Sequence, residues 1–272
     1  MPILPRLAAL YESRGIGIVT GLNPSHFRDF PYAPFTWFLK DGESLTNGLG
    51  IALQEIYFLE CLFARFHPRS LFVVGNSLGW STLALALANP GARVLAIDAG
   101  FDRNAGDGIG LTNRIAAEEG LAVSVVRGQS PGDVARIVAE AALPPVEFAF
   151  IDGNHTVEQV QLDFAAIRAV AAPDCVYLFH DVANFSLTPG VERLAATHQM
   201  HWQLLPGTTS GMAIAYDPAH QPAALEDIAP FMASSDGLRA VREAAWAHRH
   251  RHLARWRRSL RKRLGRTAPG SR

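Results

Sequence analysis

The stretch Ser70-Leu71-Phe72-Val73-Val74-Gly75-Asn76-Ser77-Leu78-Gly79-Trp80-Ser81-Thr82 decides the fold. It starts as a short apolar run, SLFVVG (70–75), passes through a glycine-bearing turn, and continues into STLALALAN, a segment of good helix formers. A buried strand that feeds a helix through glycines is the first half of a βαβ unit.

Working outward, the same alternation repeats. ARVLAID (92–98) reads as a second strand and VSVVRG (123–128) as a third, with a helix near 111–119 between them. Ser130 and Pro131 form an N-cap and N1 pair for a helix over DVARIVAEAA. VEFAFID (146–152) is a fourth strand. Thr156 and Gln159 have the spacing of a capping box before a helix with Val157, Val160, Phe164 and Ile167 on one face. DCVYLFHD (174–181) is a fifth strand, and HWQLL (201–205) and GMAIAY (211–216) flank PGTTS as a closing strand pair. Upstream, Ala52, Ile56, Leu59, Phe63 and Phe66 mark one face of a helix ended by Pro68. The order predicts an α/β fold: a doubly wound, Rossmann-like, mostly parallel seven-stranded sheet ending in an antiparallel hairpin, with helices on both faces. Ligands of such sheets sit beyond the C-terminal strand ends.

Three groups of residues occupy those ends. Gly75, Asn76, Ser77, Gly79 and Ser81 follow the first strand, where glycines allow close backbone approach and a helix N-terminus offers free N–H donors. Asp98 ends the second strand, placed to accept hydrogen bonds from a ribose diol. Gly128, Gln129 and Ser130 follow the third, with polar atoms that can face a base.

In this order and spacing the residues resemble a class I S-adenosylmethionine-dependent methyltransferase, over roughly 46–218. VVGNSLGWST is similar to that family's first motif, an acid followed by Gly-x-Gly-x-Gly, with Val73 in place of the acid and Ser77 in place of the middle glycine. Asp98 matches the acid that binds the ribose, and Gly128–Ser130 match the region beside adenine. Phe150-Ile151-Asp152-Gly153-Asn154-His155 and Phe179-His180-Asp181-Val182 resemble the macrolide-sugar and cephalosporin-hydroxylase-like small-molecule O-methyltransferases. The resemblance implies S-adenosylmethionine as methyl donor, with Asp152 beside it and Mg²⁺ on Asp152 and Asp181. It also implies His155 as general base, and a hydroxyl on a small molecule or sugar as acceptor. Val182 stands where catechol-type relatives carry an asparagine ligand.

The chemistry is coherent without the family. Acids at the ends of adjacent strands, ~4.8 Å apart, can converge on one ion. Carboxylates suit Mg²⁺, and such an ion lowers the pKa of a bound hydroxyl. An imidazole at a helix entrance titrates near neutral pH. Asp152 as a turn cap and His155 as a surface histidine are the bland alternatives. The resemblance makes His180 a candidate third ligand, because some relatives carry a Glu–Asp pair at this place, but strand alternation sends it to the face opposite Asp181, which favours a structural role.

The composition and the chain ends bound the rest. With 49% hydrophobic and 18% charged residues, the 272-residue chain has material for a full core, and no apolar run reaches the ~18 residues of a membrane span. Cys61 and Cys175 lack metal or scaffold spacing, which points to a reducing, cytoplasmic setting. The zero net charge hides an asymmetry. Ten Lys and Arg and no acid lie in 249–272, leaving 15 basic residues against all 25 acids in the body, so nucleic acid is disfavoured as partner.

Residues 1–45 read as an N-terminal segment whose aromatics, Phe27 to Phe38, wall a lid or, the favoured reading, pack onto the sheet. Ser44, Thr46 and Asn47 precede the first helix as caps or cofactor contacts. Residues 46–218 form the methyltransferase domain, and 219–272 a helical extension. In its basic tail, Leu253, Trp256, Leu260 and Leu264 make an apolar stripe suited to a membrane surface or an acidic partner. A frayed tail and a homo-oligomer contact stay open. Two other functions also stay open: an NAD(P)-binding oxidoreductase, against which Gly75-x-x-x-Gly79 departs from G-x-G-x-x-G, and a non-catalytic interaction protein.

Overall fold

Along the strand Ser70–Val74, Leu71 and Val73 face one apolar core while Phe72 and Val74 face another. The same period-two division holds for Phe148 and Phe150 against Ala149 and Ile151, and for Val176 and Leu178 against Tyr177 and Phe179. A strand covered on both faces reads as a continuous apolar run, which is why SLFVV and VEFAFI lack polar alternation. Truncating one of these buried rings to alanine costs about 3–5 kcal/mol.

The computed structural model describes residues 2–45, 50–101 and 105–250. In chain order the elements are α1 (Ile3–Glu12), β1 (Gly17–Val19), β2 (Trp37–Lys40), β3 (Glu43–Ser44), α2 (Leu53–Phe63), β4 (Ser70–Val74), α3 (Trp80–Ala88), β5 (Arg93–Asp98) and α4 (Ala105–Glu118). Then follow β6 (Val123–Arg127), α5 (Val134–Glu140), β7 (Val146–Ile151), α6 (Val157–Arg168), β8 (Ala171–Phe179), α7 (Thr188–His198), β9 (His201–Leu205), β10 (Met212–Tyr216), α8 (Leu225–Ile228) and α9 (Ser235–Arg249). The seven-stranded sheet has the order β6-β5-β4-β7-β8-β10-β9. Its first five strands are parallel, and β10 pairs antiparallel with both β8 and β9. This is the doubly wound sheet with a closing hairpin that the sequence predicts.

Helices α1 to α4 contribute to the core that holds Leu71, and α5 to α7 to the core that holds Phe72. The N-terminal residues form more than a loop. Strands β1, β2 and β3 make a small antiparallel sheet. Tyr11 of α1 donates its hydroxyl to Leu78 O at 2.8 Å, bracing the turn after β4. The aromatic cluster divides. Phe38 is buried against Tyr11 and Trp80, whereas Phe27, Phe30 and Tyr32 stay exposed.

Three local readings change. Helix α4 begins at Ala105, ahead of the expected 111. Helix α5 begins at Val134 after Asp133, so Ser130 is not its N-cap; Asp133 instead accepts the N–H of Gln129 at 2.9 Å and closes the intervening turn. Thr156 caps α6 by accepting the N–H of Gln159 at 3.2 Å, but the Gln159 side chain does not complete a capping box. It turns to Ser130 and Asp163.

Residues through Met232 make one compact unit, and Ala233 begins a second. The described part of the second unit is α9, capped by Ser234, whose side chain accepts the N–H of Gly237 at 3.0 Å. Among the described residues no helix is long and apolar enough to cross a membrane. Thr46, Asn47 and the tail stripe of Leu253, Trp256, Leu260 and Leu264 lie outside the described residues.

Candidate active site

Helices α3 and α6 leave β4 and β7 toward opposite faces of the sheet, although these strands are hydrogen-bonded neighbours. The crevice between such strand ends is where doubly wound folds hold ligands. Here it opens into a cavity of about 940 Å³. Gly75 lies at its floor with φ +91°, and a Cβ there would collide with the carbonyl of Asp152. Only glycine lets the two strand ends approach this closely.

One wall is built from the first three strand ends. Asp98 Oδ2 accepts the backbone N–H groups of Asn76 at 2.9 Å and Ser77 at 2.8 Å, and Oδ1 accepts that of Gly100 at 2.8 Å. The carboxylate thus ties the turn after β4 to the end of β5. Ser77, in the place of a family glycine, takes φ +46°, a conformation that costs a non-glycine residue about 1–3 kcal/mol. The Asn76 side chain turns inward: Oδ1 accepts the Thr82 hydroxyl at 2.9 Å, and Nδ2 donates to Thr112 Oγ1 at 3.1 Å. Asn76 therefore offers the cavity its backbone. Gly79 packs against Thr112 and is not part of the cavity wall. Ser81, Gly128, Gln129 and Ser130 do line it.

Val73 is buried in the core, so no carboxylate stands at that motif position. Behind Ser130, Gln159 Nε2 donates to Ser130 O at 3.0 Å and to Asp163 Oδ1 at 2.7 Å. Asp163 Oδ2 is buried without a hydrogen-bond partner, and burial raises the pKa of this carboxyl.

The opposite wall gathers Asp152, His155, His180 and Asp181, each offering one donor atom, all within 4.8 Å of one another. His155 Nε2 lies 3.3 Å from Asp152 Oδ1 and 3.4 Å from Asp181 Oδ2. His180 Nδ1 lies 3.2 Å from Asp152 Oδ1 and 3.4 Å from Asp181 Oδ2. An ion ~2.1 Å from each donor spaces adjacent donors by about 3.0 Å in an octahedron and about 3.4 Å in a tetrahedron, so the set fits a divalent cation.

The expectation that His180 and Asp181 face opposite sides is thereby corrected. His180 still donates its N–H to Ile151 O at 3.0 Å and keeps the alternating face beside Phe150 and Glu55, whereas Asp181, with φ +56°, leaves the alternation and turns its carboxylate to the same side. Both side chains enter the same cavity. Val182, at the position of the relatives' asparagine ligand, is fully buried, and Asn184 instead donates to Asp181 Oδ1 at 2.8 Å.

Charge is balanced locally. Burial opposes ionisation of Asp152, but the imidazoles of His180 and His155 hold its carboxyl down to about 2. Burial likewise opposes a positive His155, but its hydrogen bond to Asp152 raises its pKa. His180 is raised well above the usual histidine range by the carboxylates of Asp152 and Glu55, against its burial. Phe185 stacks on the His155 ring, with centroids 4.3 Å apart, and Phe30, Tyr32, Trp37 and Phe101 complete an aromatic rim.

Sequence reasoning missed Glu55. It is fully buried, its Oε2 accepts the N–H of Ala52 at 2.8 Å, and its Oε1 accepts that of Ser210 at 2.8 Å. The signal was present: an acid on the same helical stripe as Ala52 and Leu59 needs a buried partner. Asp163 had no comparable signal.

Residues 72–182, from β4 through the residue after Asp181, match the sequence profile of a family described as a methyltransferase domain. Over that segment the chain is similar to a methyltransferase domain. Its fold is similar to that of an O-methyltransferase from Bacillus cereus in complex with SAH, at 18% identity and a TM-score of 0.51 over 61% of this chain and 82% of that one. It is also similar to cofactor-bound Rv0187 from MTB, at 17% identity and a TM-score of 0.50 over 63% of this chain and 83% of that one. No curated protein matches the sequence. The chain thus shares the Rossmann-like sheet of those structures, and its cavity lies at the strand ends.

Proposed function

We propose that this methyltransferase transfers a methyl group from S-adenosylmethionine to a hydroxyl of a small molecule or sugar, assisted by a divalent cation on Asp152 and Asp181. The observation that carries this reading is the division of one cavity into two walls. Gly75–Ser77, Asp98 and Gly128–Ser130 lie on one side, and the Asp/His cluster lies opposite beneath an aromatic rim. The Bacillus cereus neighbour, an O-methyltransferase in complex with SAH, supports the choice of donor.

When bound, the donor supplies an electrophilic sulfonium methyl and the cation supplies the charge that acidifies the acceptor hydroxyl. The chain does the positioning. Asp98, already fixed by three backbone N–H groups, keeps one lone-pair site, on Oδ1, for a ribose hydroxyl. Gly75 lets the donor lie against bare backbone. Ser130, Gln159 and Asp163 offer polar atoms on the adenine side. His155, held by Asp152 and the Phe185 ring, takes the hydroxyl proton at a ring nitrogen as the oxygen–carbon bond forms and the carbon–sulfur bond breaks. The apolar rim holds the acceptor in line, where orientation supplies much of the rate.

Calorimetric titration with S-adenosylhomocysteine, with NAD⁺ as the control, tests the donor. Micromolar binding of the first alone is expected, and absence of binding refutes the reading. Methyl transfer to a panel of hydroxylated acceptors, with Mg²⁺, with Mn²⁺ and with EDTA, tests the rest. Retention of full turnover in His155→Ala would remove that residue as base.

A further inference from the structure

Two buried polar atoms in the cavity wall have no partner. Asp163 is 1% exposed and Ser130 8%, both line the cavity, and neither Asp163 Oδ2 nor Ser130 Oγ makes a hydrogen bond. Buried polar atoms are paired with few exceptions, so two such exceptions in one wall call for a group that completes them. One side chain ties the two residues together. Gln159 Nε2 donates to Asp163 Oδ1 at 2.7 Å and to Ser130 O at 3.0 Å, which leaves Oδ2 as the free oxygen of the carboxyl. Burial raises the pKa of Asp163, and the nearby Ser130 hydroxyl offsets this only in part, without closing a hydrogen bond. Gly153 keeps Oδ2 within reach. It lacks the positive φ of Gly75 and Gly79, so no backbone angle demands a glycine there. A Cβ would instead stand 3.2 Å from Asp163 Oδ2 and 3.0 Å from Val74 Cγ1, closing the space in front of the carboxyl.

The sheet order puts β6 beyond β5, so a nucleoside whose ribose lies on Asp98 extends its base toward Ser130 past the end of β6. We infer that Asp163 and Ser130 together select the base: Oδ2 accepts an N–H of the exocyclic amino group, and the Ser130 hydroxyl donates to the adjacent ring nitrogen. The site then takes adenine and rejects hypoxanthine. The inference rests on the reading that S-adenosylmethionine is the donor, and its added content is the pair of side chains that chooses the base. An ionised carboxylate only accepts, whereas a hydroxyl donates as well. Adenine presents an amino donor beside a ring lone pair, the complement of these two groups. Hypoxanthine presents a carbonyl oxygen beside a ring N–H, which sets oxygen against oxygen at Asp163. With the ribose held on Asp98, the base cannot slide to exchange the two contacts. The amino group also gives Oδ2 the donor that it lacks, so the unpaired carboxylate is satisfied when the nucleoside is bound.

The test is calorimetric titration of the full chain with S-adenosylhomocysteine and with S-inosylhomocysteine, which carries oxygen in place of the amino group. Wild type is expected to favour the first by about a hundred-fold or more. In Asp163→Asn the introduced amide keeps its oxygen on Gln159 and turns its NH₂ toward the base. S-adenosylhomocysteine should then bind about ten- to a hundred-fold more weakly, and S-inosylhomocysteine more tightly than to wild type. Asp98→Ala should weaken both ligands alike, because both carry the ribose. Equal affinity of wild type for the two ligands overturns the inference. So does a preference that Asp163→Asn leaves unchanged, which would mean that the Ser130 hydroxyl or a water satisfies Oδ2; either result leaves the donor reading standing. No binding of S-adenosylhomocysteine to wild type overturns both. Should Asp163→Asn fail to fold by circular dichroism, Asp163→Ala takes its place. It should weaken S-adenosylhomocysteine and leave S-inosylhomocysteine no weaker, and an equal loss for both ligands overturns the inference.

Discussion

Glu55 Oε2 and His180 Nε2, from residues 125 positions apart, meet at 3.2 Å inside the core and connect the start of α2 to the end of β8. The same carboxylate holds the N-terminus of α2 through Ala52 and the β9–β10 connection through Ser210. Removing it leaves two backbone N–H groups and an imidazole without their acceptor. Glu55→Ala is expected to lower unfolding free energy by about 3–5 kcal/mol in urea titrations. A loss under about 1 kcal/mol would show that water replaces the carboxylate and that Glu55 is not a structural centre.

Asp98 carries two duties, shaping the turn and facing the ligand. Its charge-assisted hydrogen bonds to Asn76, Ser77 and Gly100 hold the turn in a form that Ser77 does not favour intrinsically. Losing one such bond costs about 1.5–3 kcal/mol, or roughly ten- to a hundred-fold in affinity. Asp98→Ala should therefore weaken S-adenosylhomocysteine binding by at least that factor in calorimetry. Unchanged affinity would place the donor elsewhere.

Asp163 works against stability. Burial raises its folded pKa above the ordinary 3.8, and the hydrogen bond from Gln159 does not offset this. A raised carboxyl pKa means that the folded state binds the proton more tightly than the unfolded chain does. The resulting penalty is absent well below pH 3.8, grows as pH rises through the folded pKa, and is constant above it. Asp163→Asn keeps the shape and the Gln159 contact but removes the charge. In ligand-free protein it should raise Tm at pH 7, and the gain should shrink as pH falls toward 3.8. An equal gain at every pH would assign the effect to something other than ionisation.

The two thiols differ. Cys175 is buried in β8, and burial pushes its thiol up to about 12, while Cys61 is half-buried on α2. The thiolate is the reactive form. Iodoacetamide at pH 8 should therefore modify Cys61 in native protein and Cys175 only after denaturation, as read by peptide mass spectrometry. Labelling of native Cys175 at the rate of Cys61 would mean that β8 opens readily.

Much of this protein is local enough to read directly. The apolar runs, the glycines after β4, and the acids at 98, 152 and 181 lie at strand ends because strand length and turn chemistry are properties of neighbouring residues. The mostly parallel sheet, the closing hairpin and the location of the cavity at the strand ends follow from that alternation, whereas the strand order β6-β5-β4-β7-β8-β10-β9 was set by the assembled fold. The tertiary structure decided what depends on residues far apart in sequence or on one backbone angle. The positive φ of Asp181 turned its carboxylate into the cavity that His180 also lines, where period-two alternation sent the two side chains to opposite faces. Glu55 became the buried partner of that histidine only when α2 packed over β8, and Asn76 turned from the ligand to Thr82 and Thr112 once α3 and α4 stood beside it. Periodicity encodes which way a side chain points within a regular element. At the ends of elements, where the site lies, direction is set by packing, and packing is a property of the assembled fold.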